Sequence, residues 1–198
     1  MAAVSLIFIM FYGGFGTNLQ AARPVLVQSV VLSTLGVAGT AGAVALFAHL
    51  ALGLPWLESL LIGSVISSDA ASVFNILRSN KLALRHHTDS LLEVESGSND
   101  PMSYMLTTVT LSLMAGRDVS IPGMLAQQII LGVLFGLASG AAAVWLLRQN
   151  TVDSQQGRTV LLFAAMLLAY AMPAVLGGNG YLSVYLCGIW LGNSKMSQ

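Results

Sequence analysis

Two polar stretches interrupt an otherwise apolar chain, and both carry side chains that can bind protons and small cations. The first contains Ser67, Ser68, Asp69 and Ser72, and the second is the run EVESGSNDP at 93–101. Carboxylate, amide and hydroxyl oxygens are the ligands that hard cations prefer. A carboxyl group also binds a proton, and its removal from water favours the protonated form. These residues could therefore bind a proton or a cation in competition, which is the minimum chemistry for ion exchange.

The spacing of the second stretch brings its oxygen atoms together on a helix. Ser96 and Asp100 are four residues apart, as are Glu95 and Asn99, so each pair shares a helix face. Pro101 has no N–H to donate to the carbonyl one turn earlier, so the helix is predicted to kink there. The stretch therefore combines a carboxylate, an amide, a hydroxyl and an unpaired backbone carbonyl.

Each of the four acids in these stretches also has a simpler interpretation. Glu93 could lie at a helix start, where acids suit the helix dipole, and Glu95 could be a structural ion-pair partner. Asp69 could hydrogen-bond the next helix, and Asp100 could have a purely structural role. As a separate alternative, the two aspartates could form the dyad of an intramembrane protease. The serine- and asparagine-rich surroundings favour cation coordination over proteolysis.

The composition requires a membrane around these polar residues. The 198 residues include only 8 Lys+Arg and 8 Asp+Glu, whereas 56% are hydrophobic. A soluble domain carries about a quarter charged residues, and a disordered chain is far less hydrophobic. The net charge of +0 gives no electrostatic case for nucleic acid, and the single cysteine, Cys187, excludes an internal disulfide framework. The chain is therefore predicted to be an integral membrane protein.

Seven apolar segments must position the polar stretches. A membrane-spanning helix needs about 20 mostly apolar residues. The candidate segments are 2–19, 26–52, 57–77, 90–115, 123–147, 159–177 and 180–194. The predicted fold class is an all-α membrane protein with about seven transmembrane helices. Asp69 lies in the third helix, where a charged aspartate costs about 2.5–3.5 kcal/mol at the bilayer centre and must face a protein or water interior.

Basic residues predict the orientation of these helices. Alternate loops from Arg23 onward contain seven of the eight basic residues, and the opposite side contains only Arg117. The positive-inside rule then places the Arg23 side in the cytoplasm, the N-terminus outside and the C-terminus inside. His86 and His87 fall in a cytoplasmic loop, where they could sense pH or simply face solvent and lipid headgroups.

Small residues predict where the helices pack closely. Gly132, Gly136 and Gly140 recur every fourth residue on one face of the fifth helix. Glycines at this spacing let two backbones approach each other in a membrane. The glycines at 36, 39 and 42 in the second helix predict a similar close contact.

The two polar stretches resemble motifs of the monovalent cation/proton antiporter-1 family. The similarity is greatest to its bacterial sodium or potassium/proton antiporters of the NhaP type. It rests on SDAASVF at 68–74 and on ESGSNDP at 95–101, which is the more specific of the two. Supporting motifs, YGGF at 12–15 and YLCG at 185–188, lie in the expected order.

The resemblance implies roles for five residues of an ion site. Asp100 corresponds to the carboxylate that binds the proton and the cation, and Asn99 to its amide partner in electroneutral exchange. Ser96 corresponds to a hydroxyl ligand. Ser68 stands where the family usually has a threonine that ligates the ion at the break in an interrupted helix, and Asp69 follows it. A monovalent cation, K⁺ or Na⁺, would then contact Asp100, Ser96 and Ser68.

Two further positions are implied by the same resemblance. Glu95 corresponds to an acid that pairs with an arginine on a later helix. Tyr12 stands where many relatives have Asp or Glu, so this departure removes one possible acid from the ion pathway. The implied partners are the lipid bilayer and a second copy in a homodimer, and no cofactor is implied besides the transported ions.

The resemblance also predicts the extent and function of the protein. Family members have about twelve or thirteen helices in two inverted repeats. Residues 1–198 are therefore expected to be an internal part of such an antiporter, without the first two helices and the second repeat. The predicted function is secondary transport, not enzyme catalysis, exchanging protons for K⁺ or Na⁺ across a bacterial inner membrane. A cation channel or a regulatory membrane subunit with the same core is the alternative.

Overall fold

The computed structural model describes residues 2–68, 88–118, 120–149 and 154–194, and every regular element in these ranges is a helix. Seven helices of more than ten residues overlap the seven predicted apolar segments, which confirms the all-α fold class. Residues 69–77 of the third predicted segment lie outside the described residues. The elements are α1 (Ala2–Gly16), α2 (Leu19–Ala22), a 3-10 turn (Arg23–Val25), α3 (Leu26–Leu52), α4 (Trp56–Ile66), α5 (Thr88–Met114), α6 (Ile121–Arg148), α7 (Gln155–Val175) and α8 (Gly180–Gly192).

Three helical stretches in the described ranges are long and apolar enough to cross a membrane. They are Leu19–Leu52, Ile121–Arg148 and Gln155–Val175, with mean hydropathies of 1.9, 2.2 and 1.7. Only 22–28% of each apolar window is buried within the chain. Most apolar side chains on these helices therefore point outward, as they do in a protein whose solvent is lipid.

Local sequence signals account for where the helices begin and end. Gly53, at a φ of 69°, ends α3 in the left-handed conformation that glycine adopts without steric cost, and Pro55 directly precedes α4. Ser154 and Asn179 cap α7 and α8 by accepting backbone N–H groups at 3.1 and 3.0 Å. The helix containing Pro101 continues on both sides of that proline, through the whole of α5.

The helices form two compact units. Residues 21–126 contain α3, α4 and α5 and are called the acid-bearing unit below. Residues 1–20 and 127–198 contain α1, most of α6, α7 and α8 and are called the glycine-packed unit. The two polar stretches of the sequence both belong to the acid-bearing unit.

Glycines set the closest contacts of the glycine-packed unit. Gly132, Gly136 and Gly140 are buried on α6, as predicted, and all three face α8. A methyl group at Gly136 would lie 2.6 Å from the carbonyl oxygen of Ser183. At Gly188 of α8, a methyl group would lie 2.5 Å from the carbonyl oxygen of Phe11. Neither position can accept a side chain without separating two helices.

The predicted close contact at Gly36, Gly39 and Gly42 is wrong for the part of the chain that the structure describes. A methyl group at any of the three would meet no atom within 4 Å. The buried face of α3 is a different stripe of small residues: Ser29, Ser33, Val37, Ala41, Ala45 and Ala48. Gly63 of α4 packs on this stripe, against the backbone of Ala41.

Candidate functional site

The side chains of Ser68 and Asp100 meet, although they are far apart in the sequence. Helix α4 ends at Ile66, Ser67 is its C-terminal cap, and Ser68 follows at once. Asp100 lies in the middle of α5. The hydroxyl of Ser68 donates a hydrogen bond to a carboxylate oxygen of Asp100, and both side chains are half-buried. The structure thus brings together two of the residues predicted to bind the ion.

Asn99, the residue before Asp100 on α5, carries a buried side-chain oxygen. Its side chain is only 3% exposed, and its Oδ1 atom has no hydrogen-bond partner among the described residues. A buried polar atom without a partner costs about 1–3 kcal/mol, so the site is left with an acceptor that can take a donor or a cation. Ser96 lies one helical turn before Asp100 and is half-buried.

A cluster of hydroxyl groups joins α4 to α5 next to the carboxylate. The carbonyl of Ser64 accepts hydrogen bonds from Ser67 at 2.8 Å and from Ser103 at 2.6 Å. The hydroxyl of Ser64 accepts one from Thr107 at 3.1 Å and donates one to the carbonyl of Leu61 at 2.9 Å. Ser64 is fully buried, and Ser67 and Ser103 are buried with it, whereas Thr107 is half-buried. These four residues are called the Ser64 hub below.

The Ser64 hub holds the end of α4 against the helix that carries Asp100. Because Ser68 follows the last turn of α4, the hub determines where its hydroxyl lies relative to the carboxylate. Sequence reasoning did not single out Ser64, Ser103 or Thr107. The signal was available, since Asp100, Ser103 and Thr107 fall at i, i+3 and i+7 and share one helix face.

Not every hydroxyl in the polar stretches faces the site. Ser98 is buried, and its hydroxyl donates to the carbonyl of Val94 at 2.6 Å, within its own helix. Ser29 of α3 lies 3.1 Å from the carbonyl of Leu91, a contact that fixes α3 on the first turns of α5. These serines satisfy backbone groups and position helices.

The remaining predicted site residues are placed as follows. Glu95 is half-buried on α5, and Tyr12 is 76% exposed on α1 of the glycine-packed unit. Asp69, His86 and His87 lie outside the residues that the structure describes. The ion-pair role of Glu95 and the pathway role of Tyr12 stay predictions.

Known proteins provide an independent comparison. The family model for the transmembrane sodium/hydrogen exchanger matches residues 1–198. The chain is 36% identical to the K⁺/H⁺ antiporter NhaP of Alkalimonas amylolytica over 202 residues, which cover 100% of this chain and 35% of that protein. It is 37% identical to the K⁺/H⁺ antiporter NhaP2 of Shewanella oneidensis over 198 residues, which cover 96% of this chain and 33% of that protein.

A more distant relative extends the comparison to plants. The chain is 27% identical to sodium/hydrogen exchanger 8 of Arabidopsis thaliana over 198 residues, covering 96% of this chain and 26% of that protein. These relatives are named as antiporters or exchangers, in agreement with the prediction of a transporter. The chain spans about a third of the length of the antiporters it matches. With the family model matching from the first residue to the last, the chain belongs to the transmembrane sodium/hydrogen exchanger family.

Proposed function

We propose that the protein containing this chain exchanges protons for K⁺ or Na⁺ across a bacterial inner membrane, with the two ions competing for Asp100. The observation that carries the proposal is the hydrogen bond between Ser68 and the half-buried Asp100, which brings a hydroxyl and a carboxylate together where α4 ends against α5. The residue before Asp100 on α5, Asn99, adds a buried amide oxygen that has no hydrogen-bond partner among the described residues.

The chemistry of one carboxyl group explains the coupling. The Asp100 carboxylate can hold a proton covalently or contact a cation, and each binding event neutralises its charge. Because both occupied forms carry the same net charge, movement of the loaded site between the two sides of the membrane would be electroneutral. Exposure of the site first to one side and then to the other would then exchange one ion for the other.

Ser68 and Ser96 would serve as hydroxyl ligands of the cation beside this carboxylate. In the structure the Ser68 hydroxyl donates a hydrogen bond to the carboxylate, which links the end of α4 to α5. Rotation of the hydroxyl turns its lone pairs towards a cation instead. Asn99 would supply its amide oxygen to the cation, and that atom accepts no hydrogen bond from the residues that the structure describes.

Replacement of Asp100 tests the proposal. In proteoliposomes of the full-length antiporter, Asp100→Asn should abolish the proton efflux that addition of K⁺ or Na⁺ elicits, because an amide cannot alternate between proton and cation. Asp118→Asn is the matched control, since Asp118 is an exposed acid outside the helices. Normal exchange by Asp100→Asn would overturn the assignment.

The same vesicles test electroneutrality and alternating access. The exchange rate should not change when a membrane potential is imposed, because no net charge crosses the membrane. Cation flux without a matching proton flux would identify a channel instead, since only exchange requires the two fluxes to be stoichiometric.

The orientation and the assembly are further parts of the proposal. Seven of eight basic residues in alternate loops support a cytoplasmic location of Arg158 and an outside location of Arg117. In a Cys187→Ser background, a cysteine at position 117 should react with an impermeant reagent added outside whole cells, and one at 158 should not. Cross-linking of the full-length protein in membranes would test the homodimer that the family resemblance implies.

A further inference from the structure

An apolar groove of about 720 Å³ lies between α6 and α7 in the glycine-packed unit. Alanines form much of both walls, with Ala138 and Ala142 on α6 and Ala164 and Ala165 on α7. The groove exists because the neighbouring faces of both helices are already engaged. Gly132, Gly136 and Gly140 of α6 contact α8, and the buried residues of α7 pack with those of α8.

The apolar lining favours an occupant that brings no polar atoms into the groove. Among the described residues that line it, only Ser139 carries a hydroxyl group, and this hydroxyl donates to the carbonyl of Phe135 at 2.6 Å within α6. A hydrocarbon occupant would therefore break no hydrogen bond. It would also supply the van der Waals contacts that an unfilled apolar space forfeits.

The length of the groove matches one lipid leaflet. The lining runs from Phe135 to Leu146 on α6 and from Gly157 to Met172 on α7. At a rise of about 1.5 Å per residue these two walls are roughly 17 and 23 Å long. Half of a hydrocarbon core of about 30 Å is about 15 Å, which is the depth that the acyl chains of one leaflet fill. A single acyl chain lying along the two helices would therefore span the groove.

Two arginines mark one end of the groove. Helix α6 ends at Arg148, just after the lining residue Leu146, and Arg158 directly follows the lining residue Gly157 at the start of α7. Both arginines are exposed, and they outnumber the one acid of the connecting sequence, Asp153. Arginine binds phosphate oxygens through charge-assisted hydrogen bonds that are often bidentate.

We propose that this groove binds an anionic phospholipid, with one acyl chain between α6 and α7 and the head phosphate at Arg148 and Arg158. The proposal combines an apolar slot one leaflet deep with positive charge at its end, where a headgroup would lie. It concerns the glycine-packed unit alone and does not depend on the ion-exchange proposal.

Native mass spectrometry of the full-length protein tests this site. The detergent-solubilised protein would be incubated with phosphatidylglycerol or with phosphatidylcholine of the same acyl chains. Phosphatidylglycerol should be retained preferentially. The double variant R148Q/R158Q should bind it about ten- to thirtyfold more weakly, given the attraction of each basic side chain to an anionic headgroup. R117Q removes another exposed arginine and should leave retention unchanged.

A second pair of variants tests the acyl chain. Ala142→Phe puts a ring into the groove and should reduce retention of phosphatidylglycerol, whereas Ala141→Phe, at an exposed neighbouring position outside the lining, should not. Equal retention of the two lipids would overturn the proposal, as would normal retention by R148Q/R158Q or by Ala142→Phe. A cysteine at 142 that cross-links to another helix of the protein would overturn it too, because that helix would fill the groove.

Discussion

The two units of this chain differ in the contacts that hold α5 and α8 against their neighbours. In the acid-bearing unit, serine and threonine hydroxyls join α4 to α5 and α3 to α5. In the glycine-packed unit, glycines of α1, α6 and α8 remove side chains from the contacts, so that a helix backbone lies directly against its neighbour. The contacts of α5 with α3 and α4 thus include directional polar bonds, whereas the contacts of α8 with α1 and α6 depend on steric fit. The α3–α4 contact at Gly63 is also steric.

The difference indicates where ion chemistry is possible. Hydrogen bonds between membrane helices contribute only about 0.6 kcal/mol each on average, so a cluster of them can exchange partners at low cost. Such a cluster can accept a proton or a cation in place of one of its own bonds. A glycine contact has no donor or acceptor to exchange and tolerates no added atom.

The largest expected effect on stability tests the steric side of this comparison. Gly188→Ala should destabilise the protein by about 1–3 kcal/mol, because the new methyl group would meet the backbone of Phe11 and Phe15. Gly39→Ala is the matched control, since a methyl group there would meet no atom of the described residues within 4 Å. It should stabilise α3 by up to about 1 kcal/mol through helix propensity.

The measured quantity is the free energy of unfolding of the full-length protein in detergent, with unfolding monitored by circular dichroism. Equal stability of Gly188→Ala and the unmutated protein would contradict the view that the glycine-packed unit depends on contacts that exclude a side chain. A large loss of stability in Gly39→Ala would show that this face of α3 packs against another part of the full-length protein.

These two glycines also show how much of the fold the sequence could predict. Hydropathy located the helices, because the transfer of apolar residues into lipid is a local property of each segment. Small-residue spacing identified faces that can approach closely, and it was right for Gly136 and wrong for Gly39. Spacing reports that a face is able to pack, whereas the presence of a neighbour depends on distant parts of the chain.

The candidate site was predictable to a similar degree. Asp100 and Asn99 stood out because an acid and an amide are costly within an apolar segment. Their relation to Ser68 came from family resemblance, since no local periodicity links residues on separate helices. The Ser64 hub was missed for another reason: serine and threonine in membrane helices commonly bond their own backbone, as Ser98 does, and sequence does not separate the two uses.

The next prediction concerns Asn99 and sharpens the polar side of the comparison. Because its buried Oδ1 atom has no partner in the described residues, Asn99→Leu should raise stability by about 1 kcal/mol in buffer free of K⁺ and Na⁺. The same variant should be stabilised less than the unmutated protein when cation is added, because a ligand oxygen is lost.

Thermal unfolding at increasing K⁺ or Na⁺ concentration measures both effects in one experiment. If the free energy of unfolding of Asn99→Leu in cation-free buffer is lower by about 1 kcal/mol or more than that of the unmutated protein, Asn99 has a structural partner in the full-length protein. An unchanged cation response would remove Asn99 from the ligand set and leave the assignment of Asp100 standing.

The smallest expected effect belongs to a single bond of the Ser64 hub. Thr107→Val removes the 3.1 Å hydrogen bond to Ser64 and should cost about 0.6 kcal/mol. Thr108→Val is the matched control, because the Thr108 hydroxyl donates only to the carbonyl of Tyr104 in its own helix. If the hub positions Ser68 against Asp100, Thr107→Val should also weaken the binding of the cation, so that exchange needs a higher cation concentration. Thr108→Val should leave this concentration unchanged. Equal behaviour of the two variants in both assays would mean that the hub contributes packing alone, and that the Ser68–Asp100 pair holds its geometry without it.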